Sequence, residues 1–327
     1  MAEASPLLYS TTARGYQVMI SRHITPALGS ISIWDLSVTD LDRFYYALAT
    51  RDGLSDSTIR QIHSVIHQAL DLATRRDWIP RNRAALATIP KLPRTRVSPP
   101  TLEQVQRLIK EATSKDPSFG TFLELAATTG ARRGELCALR WSQVDFESGT
   151  LTIDTTIAEL GGLIEKDRSP HACRRITLDS RSQHILREQL ETCQSVASLN
   201  STQLVPDAFV FSLQPDCSRP WSPDWVTRHF GAVRTAVGLK KVHLRDFRHF
   251  SAAQMMAKGV PVTIVAGRLG HANAFTTLTT YGHFAPASDH DAARFLGSEL
   301  SALKQWNVAT RRFPSNNSSG HSDRRWW

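Results

Sequence analysis

From residue 57 to 73 the chain reads STIRQIHSVIHQALDLA, and Ile59, Ile62, Ile66, Ala69 and Ala73 recur at the three- and four-residue spacing of one helical face. Arg60, His63 and His67 fall on the opposite face, and Ser57 precedes the run as an N-cap. The preceding SVTDLDRFYYALATRDG has the same period and predicts a capped helix ending near Gly53, while TARGYQVMISRHITPALG predicts a helix followed by a turn. A small helical bundle over residues 1–90 is therefore expected.

The period fails at IPKLPRTRVSPP, where Pro90, Pro93, Pro99 and Pro100 are interleaved with Lys91, Arg94 and Arg96. Proline forces extended backbone on itself and its predecessor, so 91–100 reads as a basic linker, either lying along a phosphate backbone or acting as a solvated hinge. Thr101 with Gln104 three residues on forms a capping box, and helices are predicted through about Arg140. Between Gly149 and Leu178 the apolar residues alternate, as in GTLTIDTTIAEL and RRITLD, which predicts a small antiparallel sheet inserted in a helical domain. Helical periodicity returns at Ser222 and continues to about Leu303, giving a domain over 101–305, and the polar stretch 306–327 reads as a disordered tail. The expected fold class is mainly α: a helical N-terminal domain and a mixed α/β domain with a small sheet.

At 327 residues the chain can bury two cores, and its formal charge of +9 with a pI near 9.7 favours a polyanionic partner. Charge that merely maintains solubility is the alternative. Cys137, Cys173, Cys193 and Cys217 show no metal-ligand spacing, so no structural metal is expected. MAEASPLLYSTTARGY lacks a long apolar core, and no run of about 18 apolar residues occurs, which points to a cytoplasmic chain with reduced thiols rather than a membrane partner.

Three stretches carry candidate chemistry. In TTGARRGELCALRW, Gly130 ends one helix and Arg132 and Arg133 begin the next, where cations oppose the helix dipole and ask for an anion; a local ion pair with Glu135 is the alternative. In HLRDFRHFSAAQMM, Arg245, Arg248 and His249 share a helical face and would repel one another unless something negative sits there. An ordinary basic recognition helix accounts for the same residues. In RLGHANAFTTLTTYGHF, Gly270 ends a short helix begun at Pro261, His271 follows it, and Tyr281 lies ten residues on.

Together these stretches resemble the tyrosine recombinase family, the phage integrases. TGARRGELCALRW is similar to the family's T-G-x-R-x-x-E-L-x-x-L-x-W box, RDFRHFSA to its H-x-L-R-H box, and LGHANAFTTLTTYGHF to its L-G-H and Y-x-H ending. LSDSTIRQIHSVIHQALDLATRRDWIPRNRA resembles the family's core-binding domain. The resemblance implies a core-binding domain at 1–90 and a catalytic domain at 101–305. It further implies Tyr281 as nucleophile, Arg132 and Arg248 on the scissile phosphate, His271 as a donor to it, and Glu135 as a helix-stabilising acid. Adjacent cations are expected to lower the barrier to ionising Tyr281. Double-stranded DNA attachment sites, a homotetramer on DNA and an accessory directionality factor are the implied partners, with no ATP or metal.

This chain departs from the family pattern in three places. Arg245 stands where the family has histidine, and Lys166 is displaced from the expected position of the general-acid lysine, near Ser169. The chain also begins close to the core-binding domain, without the arm-binding domain of some integrases. A cleavage-deficient DNA-binding relative and a type IB topoisomerase-like relaxing enzyme are the alternative functions.

Overall fold

The computed structural model describes residues 10–89, 98–159, 162–167, 173–285 and 293–301. The N-terminal helices are α1 (Ser10–Met19), α2 (Thr25–Leu28), α3 (Val38–Thr50) and α4 (Asp56–Arg75), with a π-helical turn at Ile20–Ile24 joining the first two. Ser37 and Asp40 form a reciprocal capping box on α3, each side chain accepting from the other's backbone N–H at 3.1 Å. On α4 the cap is Ser55 rather than Ser57, because Ser55 Oγ accepts from Thr58 N and the helix already starts at Asp56. The buried stripe of α4 runs through Ile59, Ile62, Ile66, Leu70 and Ala73. Ala69 is exposed: the drift of a 3.6-residue turn carries the stripe to its larger neighbour. His63 is turned inward rather than outward, with Nδ1 3.0 Å from the buried Tyr45 hydroxyl. Ile59, Ile62, Ile66, Leu70 and Ala73 close one apolar core with Leu41, Tyr45 and Leu48.

The second module begins with α5 (Leu102–Lys115), capped by Thr101 and Gln104 as predicted, and continues through α6 (Pro117–Thr129) and α7 (Arg133–Cys137). The strands are β1 (Val144–Asp145), β2 (Thr150–Ile153), β3 (Thr155–Glu159), β4 (Leu163–Asp167) and β5 (Arg174–Thr177). They make two antiparallel sheets, β1-β2-β5 and β3-β4, where the sequence pattern predicts one. Asp154 interrupts the alternating run and accepts a hydrogen bond from Gln143, so the two halves of that run pair with different partners. Residues 160–161 and 168–172, with Ser169 among them, and most of the linker (90–97) lie outside the described residues, as does the tail from 302.

The remaining helices are α8 (Ser180–Leu199), α9 (Pro223–Ala236), α10 (Asp246–Ala257), α11 (Val262–Leu269) and α12 (Ala274–Tyr281), and residues 293–301 are also helical. A second core, distinct from the first, gathers Phe119, Phe122, Phe211 and Trp221 from α6 and the segment before α9. Its aromatic rings meet at 5.1 Å for both Phe122–Phe211 and Phe211–Trp221, within the range for favourable ring contacts. Among the described residues no helix is long and apolar enough to cross a membrane.

Candidate active site

Four separated segments meet around the end of α6. Gly130 closes that helix at φ +64, a left-handed conformation that L side chains adopt with strain; a Cβ there would also come within 2.5 Å of Leu269 on α11. The turn is fixed from outside, since Arg248 Nη1 on α10 donates to Gly130 O at 2.8 Å. Arg248 Nη2 is buried with no hydrogen-bond partner among the described residues. Burial, aided by repulsion from Arg132 and Arg174, brings the Arg248 pKa down to about 9, which leaves it charged at neutral pH.

Arg132 is the N-cap residue of α7, and Glu135 one turn on is fully buried. Glu135 Oε2 accepts from Arg132 N–H at 2.8 Å, and Oε1 accepts from Arg132 Nη1 at 2.9 Å. The local ion pair considered from sequence exists, yet it leaves the Arg132 side chain 40% exposed and able to reach a ligand. Glu135 has a second partner that sequence reasoning missed. Arg174 on β5, only 5% exposed, donates to Glu135 Oε2 at 2.7 Å and through Nε to Arg268 O at 2.8 Å. Burial pushes the Glu135 carboxyl up, but hydrogen bonds and charge from Arg174, with Arg132, hold it at about 2. The sequence signal for Arg174 is strand alternation: it shares a face with the buried Ile176, while Arg175 points out to Asp145.

The clamp extends to the loop after α11. A Cβ on Gly270 would lie 2.9 Å from Arg174 Nη1, so glycine permits the close approach as well as the φ of +67. Arg268 ties the same turn down by donating to Thr177 O and Thr128 O at 3.1 and 3.0 Å. His271 follows, with Nδ1 2.8 Å from the hydroxyl of the buried Thr277. Burial first, then Arg248, Arg132 and Arg174, lowers its pKa to about 4, so the ring is neutral at pH 7. A neutral ring whose Nδ1 accepts from Thr277 carries its proton on Nε2, free to donate.

Tyr281, the last residue of α12, is 2% exposed, packed against Ala252, Met256, Val265 and Leu269. Burial raises its pKa above the ordinary value, outweighing Arg248 and Arg132, which pull it down. The expectation that cations would ease ionisation is thus corrected for the free protein: desolvation wins. Its oxygen lies 2.6 Å from His249 Nδ1. The expected crowd of three cations on α10 is corrected too, because burial lowers the pKa of His249. Arg245 sits at the N-cap of that helix with its side chain 79% exposed.

A cavity of about 490 Å³ opens beside these groups, lined by the apolar Phe122, Leu136 and Phe230 and by Arg132, Arg245, Arg248 and His249. Lys166 lies on β4 opposite Thr156 of β3, and its side chain is outside the described residues. The structure therefore brings Arg132, Arg248, His271 and Tyr281 into one electrostatically coupled cluster, with the exposed Arg245 lining the adjoining cavity.

A family model described as the phage integrase family matches residues 101–287. Among curated proteins, the chain is 23% identical over 279 residues to the ICEBs1 integrase of Bacillus subtilis (strain 168), covering 84% of this chain and 74% of that one. It is 26% identical over 273 residues to an integrase of Streptomyces ambofaciens, covering 80% and 68%. Among solved structures, the Tn1549 transposon integrase in complex with a circular intermediate DNA superposes with a TM-score of 0.74 at 17% identity, covering 90% of this chain and 94% of that one. The lambda integrase dimer bound to a COC' core site gives 0.63 at 20% identity, covering 86% and 91%. At these identities the structural likeness establishes the fold, mainly helical with small antiparallel sheets, the class that the sequence pattern predicts.

Proposed function

The chain belongs to the phage integrase family of tyrosine recombinases, which recombine DNA at specific sites, and from that premise we propose how its own residues break and rejoin DNA. Arg132 and Arg248 hold the two non-bridging oxygens of the scissile phosphate. His271 donates to one of them through Nε2, and Tyr281 Oη attacks phosphorus to form a 3′-phosphotyrosyl ester. Lys166 protonates the departing 5′ oxygen. The ester conserves the phosphodiester's energy, so the 5′ hydroxyl of a partner strand reverses the reaction without ATP.

The observation that carries this reading is the buried, partnerless Nη2 of Arg248 beside Tyr281. Leaving such a donor unsatisfied costs about 1–3 kcal/mol, and more for a charged group, unless a ligand supplies an acceptor. A phosphate oxygen does so, and the excess of Lys and Arg suits the rest of the duplex. Arg245, exposed beside the cavity, contacts a flanking phosphate.

In this reading residues 1–90 form the core-binding domain, 91–100 the linker and 101–305 the catalytic domain, and the protein works in the cytoplasm. The helix at 293–301 exposes Phe295, Leu296 and Leu300, an apolar set suited to docking on a neighbouring copy in a homotetramer on DNA attachment sites. A directionality factor selects between integration and excision.

The test is covalent trapping. A nicked suicide substrate should give a denaturation-resistant protein-DNA adduct with the native chain and none with Tyr281→Phe. An adduct that persists in the variant removes Tyr281 from the mechanism, and no adduct with either chain favours a DNA-binding relative that has lost cleavage.

A further inference from the structure

A buried phenol with a raised pKa is a poor nucleophile until something accepts its proton. His249 Nδ1 stands 2.6 Å from Tyr281 Oη, inside the distance that proton transfer requires. The pair is held by packing, since Tyr281 lies against Ala252 and Met256 of α10, the helix that carries His249. Two other groups near the described site are less suited. Arg245 is a guanidinium with no acceptor atom, and His271 has Nδ1 committed to Thr277.

We propose that His249 is the general base of cleavage, taking the phenolic proton of Tyr281 as its oxygen bonds to phosphorus. The inference rests on the reading of Tyr281 as nucleophile. In the step, the Oη–H bond breaks and its proton passes to His249 Nδ1. The Oη–P bond forms, the P–O5′ bond breaks, and the departing oxygen takes a separate proton from the general acid. Ligation runs the transfer backwards: the imidazolium returns its proton to Tyr281 as the ester is broken.

The surroundings suit a base that must be empty at the start and release its proton afterwards. Burial, with Arg245 and Arg248 on its own helix, opposes protonation, and Asp246 favours it. Tyr281 faces the ring from α12, and His271 acts on the same cluster from the loop after α11. Burial thus biases His249 toward its neutral, proton-accepting form in the free protein, and the imidazolium formed during cleavage sits among cations that favour its return to neutrality.

The test uses single-turnover cleavage by the full chain on DNA carrying a 5′-bridging phosphorothiolate, whose sulfur leaves without a proton, so only the nucleophile side shapes the pH profile. The native rate should rise with pH and level off before about pH 8, as a histidine base becomes fully neutral. His249→Asn keeps an acceptor near the position of Nδ1 but cannot carry the proton. It should lower the rate at pH 7 by about 10²- to 10³-fold, bind DNA normally, and give a rate that climbs steadily toward the tyrosine pKa. Fluorotyrosine at position 281, with a more acidic phenol, should restore part of the variant's rate.

An unchanged rate, or a uniform loss with the native profile retained, overturns the proposal. If the variant does not fold, the native profile decides alone: a rate still climbing beyond about pH 9 excludes a histidine base. Tyr281→Phe run in parallel separates the two readings. Adduct formation by that variant defeats the nucleophile assignment itself, whereas its loss together with an indifferent His249→Asn defeats only the base.

Discussion

Replacing Glu135 by Gln keeps the shape of a fully buried side chain and removes the charge that binds Arg132 and Arg174. Holding the carboxyl at about 2 instead of 4.5 corresponds, at about 1.4 kcal/mol per tenfold, to about 3 kcal/mol of folding stability. That agrees with the 3–5 kcal/mol typical of breaking one side of a buried ion pair, which here would leave the buried Arg174 poorly compensated. The sign follows from the depressed pKa. The folded chain keeps Glu135 ionised to lower pH than the unfolded chain does, so the stabilisation is complete above about pH 4.5 and fades as pH falls toward 2. Urea unfolding of native and Glu135→Gln chains, following the transition of the module that contains Trp221, should show a gap of about 3 kcal/mol at pH 7, with about 2 kcal/mol of it gone by pH 3. A gap below about 1 kcal/mol at pH 7, or one that stays constant between pH 6 and 3, would refute the claim that this carboxylate anchors the site.

Arg132→Ala and Arg248→Ala should each reduce cleavage about 10²- to 10³-fold while changing DNA affinity far less; normal cleavage with weakened binding would reassign them to backbone contact. Lys166→Ala should cleave ordinary DNA slowly and recover on a 5′-phosphorothiolate bridge, whereas equal impairment on both substrates would make Lys166 a DNA-holding residue.

Local signals were legible in the sequence because they act within a few residues. Thr101 and Gln104 cap α5 as their spacing predicts, and Gly130 and Gly270 both end helices in the left-handed conformation. The ordered motifs carried the fold and the family, and they named Arg132, Arg248, His271 and Tyr281, which the chain does bring together. Contacts between distant segments were not legible. Nothing near Arg174 announces Glu135, 39 residues earlier, and nothing in RHF announces that His249 faces Tyr281, 32 residues later. Burial also reversed two electrostatic expectations, at Tyr281 and His249, because formal charge along a sequence carries no desolvation. Asp154 divided one alternating run into two sheets, a break that period alone does not contain.

The two apolar cores share no residue: Leu41, Tyr45 and Ile62 close one, and Phe119, Phe122 and Phe211 close the other. Tyr281 packs in a further cluster with Ala252, Met256, Val265 and Leu269, which likewise shares no residue with the N-terminal core. Sequence change in the N-terminal helices can thereby accumulate while the four-segment site stays under its own separate packing constraint.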